Sequence, residues 1–277
     1  MLRNVDYKIY ILNLEKAKEK LDFMSSQLEK MDLSFERING IWGEDYFGNE
    51  YNSVLALEKN GKKMVPGEIG CALSHKKAIE KFMEDLQKDK NLKYGLILED
   101  DVLLNKNFKN ILETTIMENE KYFLKNKSYF WEYLQFDYVE PFYFWTQAWW
   151  KQVFQTFREK KKCFQKMLFI FKSILKLPVV FCYALFEIIR NKIFIGPVRF
   201  YRDIYLAGAY LINKEGVEKL LSLSREIIYP ADKLQNEAKR LLGLKIKYYC
   251  PTISFQQRND FESEVVVHYN KIAKIHV

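Results

Sequence analysis

The stretch Tyr94-Gly95-Leu96-Ile97-Leu98-Glu99-Asp100-Asp101 decides the fold of this 277-residue chain. It has the pattern of an apolar strand that ends in three consecutive carboxylates. Open α/β sheets bind ligands at the carboxyl ends of their strands, where carboxylates can hold a divalent cation against a phosphate. Three adjacent like charges are unfavourable unless a cation or hydrogen bonds offset them. An acidic junction solvated by water is the alternative that this stretch alone leaves open.

The residues before this stretch alternate between strand and helix patterns. Residues 7–14 are rich in Ile, Leu and Tyr and alternate as a strand does. An apolar repeat at spacings of three and four over residues 14–31 predicts an amphipathic helix, and residues 33–38 predict a second strand. Strand, helix and strand in such a short span form a βαβ unit, which predicts a parallel sheet.

A second helix is marked by Pro66 and Gly67 at its start, followed by a buried apolar stripe. Glu68, Cys71 and His75 lie along one side of this helix because they are three, four and seven residues apart. The chain has no GxGxxG after its first strand and no GxxxxGK[ST] segment. Ordinary dinucleotide-binding and P-loop sites are therefore not predicted.

The α/β pattern resumes after residue 203. Residues 206–212 predict a strand of small and apolar residues, and a helix follows from Lys214. Tyr229-Pro230-Ala231-Asp232 predicts the start of another helix, with Asp232 in its first turn, and residues 246–249 predict a late strand. Residues 203–277 are therefore predicted to complete the domain that residues 1–139 begin.

Residues 140–202 differ in composition and are predicted to be a helical insertion. From Trp145 to Arg202 the chain has twelve Lys or Arg and two Glu, a net charge of +10; the whole chain carries +8, so the remaining residues carry −2. Residues 168–190 are strongly apolar but contain two lysines and a central proline. This pattern favours helices that lie on an anionic membrane surface, while a buried helix pair, a membrane span and a protein-docking surface stay open.

Composition limits the class of protein, its compartment and its partners. A hydrophobic content of 48% fits a globular protein, and the polar start of the chain predicts no targeting segment. The four cysteines are far apart and match no zinc spacing, so they predict reduced thiols in the cytoplasm. No nucleic-acid partner is expected, because the basic residues interleave with a long aliphatic run and form no reader motif.

Six collinear segments together resemble the glycosyltransferase family 25 enzymes. This family includes bacterial lipooligosaccharide galactosyl- and glucosyltransferases and is related to collagen galactosyltransferases. The segments are YILNLEKAKEKLDFM (10–24), FERING (35–40), GEIGCALSH (67–75), LILEDDV (96–102), AGAYLINKEGVEKLL (207–221) and PADKL (230–234). The resemblance implies a GT-A-like fold, that is, a single Rossmann-type nucleotide-sugar-binding domain with a mostly parallel central sheet.

The resemblance also implies roles for the acids. Glu99-Asp100-Asp101 corresponds to a DxD-type signature, in which Glu99 and Asp101 are expected to bind Mn²⁺ or Mg²⁺ and Asp100 to contact the donor ribose or sugar. A bound cation would neutralise the leaving diphosphate. The family is regarded as inverting, so a base must remove the acceptor proton, and Asp232 is the expected base. The alternative is that Asp232 only stabilises the start of its helix.

Four further residues are expected to bind the donor: Asn13, Arg37, Asn39 and His75. Asn13 and Asn39 are placed at the ends of the first two strands, although Asn13 also suits a turn. His75 is expected to bond a donor phosphate or sugar, with a simple pairing to Glu68 as the alternative.

The chain departs from the family pattern in places. The family usually has arginines where Lys16 and Lys20 stand, so a phosphate contact there would be single and not bidentate. The segment 131–137 only loosely resembles the tryptophan-acid strand of the family. His268 is a possible late metal ligand, but a lone histidine in a polar tail is more often incidental.

The function expected from these observations is transfer of galactose or glucose from UDP-galactose or UDP-glucose to a lipid-linked saccharide of the lipooligosaccharide or lipopolysaccharide type. The enzyme is expected in the cytoplasm, peripheral on the inner face of the inner membrane, with residues 140–202 on the anionic surface. Two alternatives are another metal-dependent nucleotidyl or phosphoryl transferase, and a non-catalytic membrane-surface module with a decayed site.

Overall fold

The computed structural model describes residues 6–125, 130–137, 195–199 and 206–256. The chain divides into two compact units, one of residues 1–138 and 196–277 and the other of residues 139–195. Almost all of the predicted insertion, and the proposed attachment segment 168–190 with it, lies outside the described residues. The domain boundaries expected from sequence remain a prediction.

The helices and strands of the first unit follow an α/β order. The strands are β1 (Tyr7–Asn13), β2 (Glu36–Asn39), β3 (Tyr94–Glu99), β4 (Val102–Leu104), β5 (Tyr133–Gln135), β6 (Gly196–Val198), β7 (Ala209–Asn213), β8 (Ile246–Cys250) and β9 (Ser254–Gln256). The helices are α1 (Lys18–Glu29), α2 (Ser53–Asn60), α3 (Pro66–Lys88), α4 (Phe108–Lys125), α5 (Lys214–Leu223) and α6 (Ala231–Leu242).

Within the described ranges, seven strands form one mixed sheet in the order β2-β1-β3-β7-β5-β8-β6. The pairs β1–β2, β1–β3 and β5–β8 are parallel, whereas β7 and β6 run antiparallel to their neighbours. Five of the seven strands therefore point the same way. The mixed α/β architecture with a mostly parallel central sheet, expected of a GT-A-like domain, is confirmed.

The register of the parallel strands determines where the site forms. Asn13 of β1 is paired with Asn39 of β2, and Leu12 is paired with Glu99 of β3. The carboxyl ends of these three strands thus share one edge of the sheet. The polar residues that end each strand are brought together there, as the βαβ pattern predicted.

The sheet is covered on both faces because alternate residues of each strand point to opposite sides. Ile9 and Ile11 of β1 pack into a core shared with α1 and α4. Tyr10 and Leu12 point into the opposite core, which α3, α5 and α6 complete. Two apolar cores hold the central strands rigidly, so the polar ends of β1 and β3 are fixed in position.

The strand predicted at 206–212 begins three residues later, at Ala209. Leu206 has a φ of 103°, and the N–H groups of Gly208 and Ala209 donate to the carboxylate of Asp137 instead of to a neighbouring strand. This bent entry delays the start of the strand. The helix at α4 and the small sheet of β4 and β9 are further elements that the sequence patterns did not predict.

β6 lies within the residues that sequence assigned to the insertion. It pairs with β8 at the edge of the central sheet. None of the helices in the described ranges has the length and hydropathy needed to cross a membrane.

Candidate active site

A cleft opens at the carboxyl ends of β1 and β3, beside the N-terminal turns of α3. It contains about 730 Å³ of space that is not filled by protein atoms and is open to solvent. Five residues predicted for the site line it together: Asn13, His75, Glu99, Asp100 and Asp101. The other three predicted residues, Arg37, Asn39 and Asp232, are not among its lining residues.

Asn13 is the centre of a hydrogen-bond network at the edge of the sheet. Its side-chain amide donates to Asp100 Oδ2 at 2.7 Å and to the carbonyl of Ala17 at 2.8 Å. Its Oδ1 accepts from Arg37 Nε at 2.9 Å, and Arg37 also donates to Asn39 Oδ1 at 3.3 Å. Arg37 therefore contacts the cleft-lining Asn13 directly, and Asn39 contacts Arg37.

Glu99 ends β3 and has polar partners on both carboxylate oxygens. His75 Nε2 lies 3.1 Å from Oε1, the Cys71 thiol donates to the same oxygen at 3.7 Å, and Gln256 donates to Oε2 at 2.6 Å. Glu68 accepts hydrogen bonds from Val65 N and from Lys62 at the start of α3. The two ring nitrogens of His75 face Tyr210 and Glu99, so the structure favours Glu99 over Glu68 as its acidic partner.

The electrostatics of the cleft reflect several acids sharing a partly buried space. Burial raises the pKa of Asp100 to about 6, although Asn13 and Lys20 act in the opposite direction. Burial acts to raise the pKa of Glu99, but His75, Gln256 and Cys71 together outweigh burial and lower the pKa. A bound cation would stabilise the charged form of such neighbouring acids.

The donor set fits a divalent metal. Glu99, Asp100 and Asp101 are all at the cleft and supply carboxylate oxygens, the ligands that Mn²⁺ and Mg²⁺ prefer. Asp101 is 8% exposed, so a cation bound there would be partly shielded from water. Within the described ranges, one group of three potential metal ligands, a thiol, an imidazole and a carboxylate, has ligand atoms that lie close together: Cys71, His75 and Glu99.

Asp232 lies in the first turn of α6, as predicted. Burial raises its pKa, and the negative charges of Glu68 and Glu99 raise it further. Asp232 in turn helps to raise the pKa of the Cys71 thiol, which burial raises most. The carboxyl group of Asp232 is therefore electrostatically coupled to the acids of the cleft, although it does not line the cleft itself.

Asp137 is a buried acid connected to Glu99 that sequence reasoning did not place near the cleft. It is 1% exposed, and its two oxygens accept from Gly208 N and Ala209 N, each at 2.9 Å. Burial, with a contribution from Glu99, raises its pKa to about 7. The carbonyl of Gly208 accepts from Glu99 N at 2.7 Å, so Asp137 and Glu99 are joined through one peptide segment. An acid directly after a short strand was the available signal.

Trp42 lines the cleft and was also missed. Lys16 Nζ lies 3.0 Å from the centre of its ring, a cation–π contact. The loop carrying Trp42 lies against α3 because both sides lack a Cβ: one added to Gly43 would come within 1.7 Å of Pro66 O, and one added to Gly70 within 2.5 Å of Ile41 O. The backbone of this loop is therefore closely packed against α3 beside the cleft.

Comparison with known proteins agrees with this geometry. A family profile described as "Glycosyltransferase family 25 (LPS biosynthesis protein)" matches residues 6–235. The chain belongs to glycosyltransferase family 25. The resemblance seen in the sequence segments, and the expectation that the chain is a member of an enzyme family, are both confirmed.

One curated relative is a protein of Haemophilus influenzae named "Putative glycosyltransferase". It is 28% identical over 126 residues, which cover 45% of this chain and 43% of the relative. The chain thus aligns with less than half the length of that protein.

Two solved structures share a distant overall likeness. A glycosyltransferase involved in the glycosylation of the major capsid of PBCV-1 matches with a TM-score of 0.39 and 10% identity, covering 89% of this chain and 83% of its own. The A197 protein from STIV matches with a TM-score of 0.38 and 12% identity, covering 91% and 85%. Scores of this size carry no conclusion about substrate or mechanism.

Proposed function

We propose that this chain is an inverting, metal-dependent glycosyltransferase that moves galactose or glucose from a UDP-sugar to an acceptor of the lipooligosaccharide or lipopolysaccharide type. The observation that carries the proposal is the cleft at the end of β3, where Glu99, Asp100 and Asp101 stand beside Asn13 and His75. Membership of glycosyltransferase family 25 supports a nucleotide-sugar donor and a glycan acceptor in general terms.

The chain's own residues would bind and orient the donor. Asn13 holds Asp100 in place, and Asp100 would accept hydrogen bonds from the ribose or sugar hydroxyls. Trp42 offers a flat indole face on which a nucleobase can stack, and Lys20 adds a positive charge near the diphosphate. Glu99 and Asp101 would hold Mn²⁺ or Mg²⁺, which when bound supplies positive charge to the departing diphosphate.

Asp232 is the proposed general base. Inversion in a single displacement requires a carboxylate that takes the acceptor proton as the anomeric carbon is attacked. The raised pKa of Asp232, which follows from burial and from the charges of Glu68 and Glu99, strengthens it as a base. Because it does not line the donor cleft, Asp232 is expected to meet the acceptor and not the nucleotide.

The basic and apolar residues 140–202 are proposed to hold the enzyme on anionic lipids at the inner face of the inner membrane. Their net positive charge and apolar runs support this proposal. Each Lys or Arg close to an anionic surface contributes about 1 kcal/mol to membrane binding. Such a location would bring the cleft near a lipid-linked saccharide acceptor.

A donor screen tests the proposal. Purified full-length protein in detergent is offered UDP-galactose, UDP-glucose and nucleoside triphosphates, with and without Mn²⁺, and nucleotide release is measured. The proposal expects Mn²⁺-dependent UDP release from a UDP-hexose, and expects Asp232→Asn to lose turnover while keeping UDP affinity. Hydrolysis restricted to the triphosphates would point to a nucleotidyl or phosphoryl transferase. Folded protein that neither binds UDP nor turns over would point to a decayed site.

A further inference from the structure

The N-terminal part of α3 directs two metal-binding side chains toward the end of β3. Cys71 and His75 are one helical turn apart, so both project to the same side of the helix. Their partner there is Glu99, whose Oε1 lies 3.7 Å from Cys71 Sγ and 3.1 Å from His75 Nε2. All three ligand atoms lie within 4.8 Å of one another.

These separations match those around a small tetrahedral ion. Ligands bound at Zn–S, Zn–N and Zn–O distances of about 2.0 to 2.3 Å stand roughly 3.3 to 3.8 Å apart. The two distances to Glu99 Oε1 fall within a few tenths of an ångström of that range. Small side-chain rotations would therefore be enough for the three atoms to share one ion.

Two neighbouring side chains orient the ligands. His75 Nδ1 lies 3.1 Å from the hydroxyl oxygen of Tyr210, which can accept a hydrogen bond from Nδ1–H and so favour the tautomer in which Nε2 bonds the ion in place of its contact with Glu99. Gln256 donates to the other oxygen of Glu99, which turns Oε1 toward Cys71 and His75. Outer contacts of this kind usually accompany metal-ligating histidines and carboxylates.

We propose that Cys71, His75 and Glu99 form a binding site for a borderline-soft divalent cation of the Zn²⁺ class. The thiol and imidazole distinguish it from the all-oxygen arrangement that Mn²⁺ or Mg²⁺ prefers. On binding, the Cys71 thiol releases its proton to solvent, the proton that Nε2 of His75 donates to Glu99 also leaves that nitrogen, and the sulfur and Nε2 bond the ion. All three residues line the cleft, so a fourth ligand could reach a bound ion from the open space.

The two cation sites share Glu99. This consequence rests on the proposed function: zinc held by Cys71, His75 and Glu99 removes that carboxylate from the hard cation needed for transfer. Zinc is therefore expected to inhibit the enzyme, and Mn²⁺ to compete poorly for the thiol-containing site.

Cobalt provides the direct test because Co²⁺ occupies zinc sites and absorbs light strongly when bonded to a thiolate. Full-length protein without nucleotide is titrated with Co²⁺ and then with Zn²⁺. One bound Co²⁺ with a thiolate charge-transfer band, displaced by Zn²⁺, is expected in the wild type. The control Cys250→Ala, which changes a buried thiol of β8, should keep the band. Folded Cys71→Ser should lose it.

Tyr210→Phe tests the orientation of His75, because it removes one hydroxyl and keeps the ring. Co²⁺ affinity is expected to fall by about 10- to 100-fold, the usual effect of losing an outer contact to a metal ligand. A wild-type protein without the band, or a band that persists in Cys71→Ser, would overturn the site whatever the donor screen shows.

The inhibition is measured separately, as UDP release with increasing Zn²⁺ relative to each variant's own rate without zinc. Zinc should inhibit the wild type more strongly than Cys71→Ser. Equal inhibition of the two would overturn the shared role of Glu99. If Co²⁺ binds as expected but no UDP-sugar is turned over, the metal site stands and the proposed function fails.

Discussion

Gly208 leaves room for the carboxylate of Asp137, next to the backbone that holds Glu99. A Cβ added at Gly208 would lie 2.6 Å from Asp137 Oδ2 and 3.0 Å from Gln256 Nε2. Gly208→Ala is expected to lower the free energy of unfolding by about 1 to 3 kcal/mol, because this space is fully packed. It should also weaken Mn²⁺-dependent UDP binding, since Gln256 and the Gly208 carbonyl both contact Glu99. Denaturant unfolding and calorimetric titration measure the two effects.

Gly216→Ala is the matched control. Its added Cβ would lie 2.5 Å from Glu132 O, in α5 and outside the residues that line the cleft. It should lower stability by a comparable amount while folded protein keeps its UDP affinity. If both variants lose affinity equally, the contacts around Gly208 have no special connection with the site.

The buried carboxyl of Asp137 predicts a pH effect on stability. Its folded pKa is raised by burial to about 7, above the ordinary value of 3.8. Between these values the folded state keeps a proton that the unfolded state loses, so stability falls as pH rises from about 4 to 7, by of order 4 kcal/mol at most. Asp137→Asn should flatten this part of the curve of unfolding free energy against pH. A slope as steep as that of the wild type would show that Asp137 ionises normally.

At the scale of elements, α3 is attached to β1 by the carboxylate of Asp85. Asp85 accepts from Lys8 at 2.7 Å and from the hydroxyl of Tyr10 at 2.8 Å, both in β1, and from Lys81 within α3. Burial acts to raise its pKa, but the hydrogen bonds from two lysines and a tyrosine outweigh it and lower the pKa to about 2. The ionised carboxylate thus helps to position the helix that carries Cys71 and His75.

Asp85→Asn is therefore expected to lower the free energy of unfolding by about 2 kcal/mol at pH 7. Because the folded pKa lies below the unfolded one, the wild-type advantage is complete above pH 4 and shrinks as pH falls toward 2. Chemical denaturation at several pH values measures it. Asp89→Asn at the end of α3 is the control. If the difference in unfolding free energy between wild type and Asp85→Asn does not change with pH, the charge of Asp85 is not the source of the stabilisation.

The elements themselves were largely predictable. Residues 94–99 were recognisable as a strand because they are apolar, and α3 because Pro66 precedes a regular apolar stripe. The bent entry to β7 was not predictable, because its direction depends on hydrogen bonds to Asp137, which is distant in sequence. Local patterns report periodicity and do not report which distant acid a backbone N–H will meet.

At the scale of the whole molecule, the site joins segments that are far apart along the chain. The acids at 99–101 and the end of β1 could be placed together from sequence, because parallel strands end at one edge. The partner of His75 could not be predicted from sequence. Glu68 lies on the same helix and was a candidate, whereas Glu99 reaches His75 only because the sheet places the end of β3 there. Gln256 gave no signal, because its contact with Glu99 depends on the folding of β9 beside β4.

The charge of residues 140–202 predicts salt-dependent attachment of the full-length protein to anionic vesicles. Replacing Lys160, Lys161 and Lys162 with Gln should weaken partitioning by about 3 kcal/mol at low salt, on the basis of about 1 kcal/mol for each residue near the surface. Replacing three exposed lysines of the first unit, Lys88, Lys90 and Lys121, is the control and should have little effect. Vesicle co-sedimentation measures this, and equal partitioning of all three proteins would contradict the proposed surface.

The most direct measurement of the central claim is the affinity for UDP with and without Mn²⁺, determined by calorimetric titration of wild type, Asp101→Asn and the exposed control Asp22→Asn. If the acids after β3 hold a cation against the diphosphate, Mn²⁺ should tighten UDP binding by at least about tenfold, or 1.4 kcal/mol, in the wild type and the control, but not in Asp101→Asn. Equal affinity of the wild type with and without Mn²⁺, or an undiminished Mn²⁺ effect in folded Asp101→Asn, would contradict it.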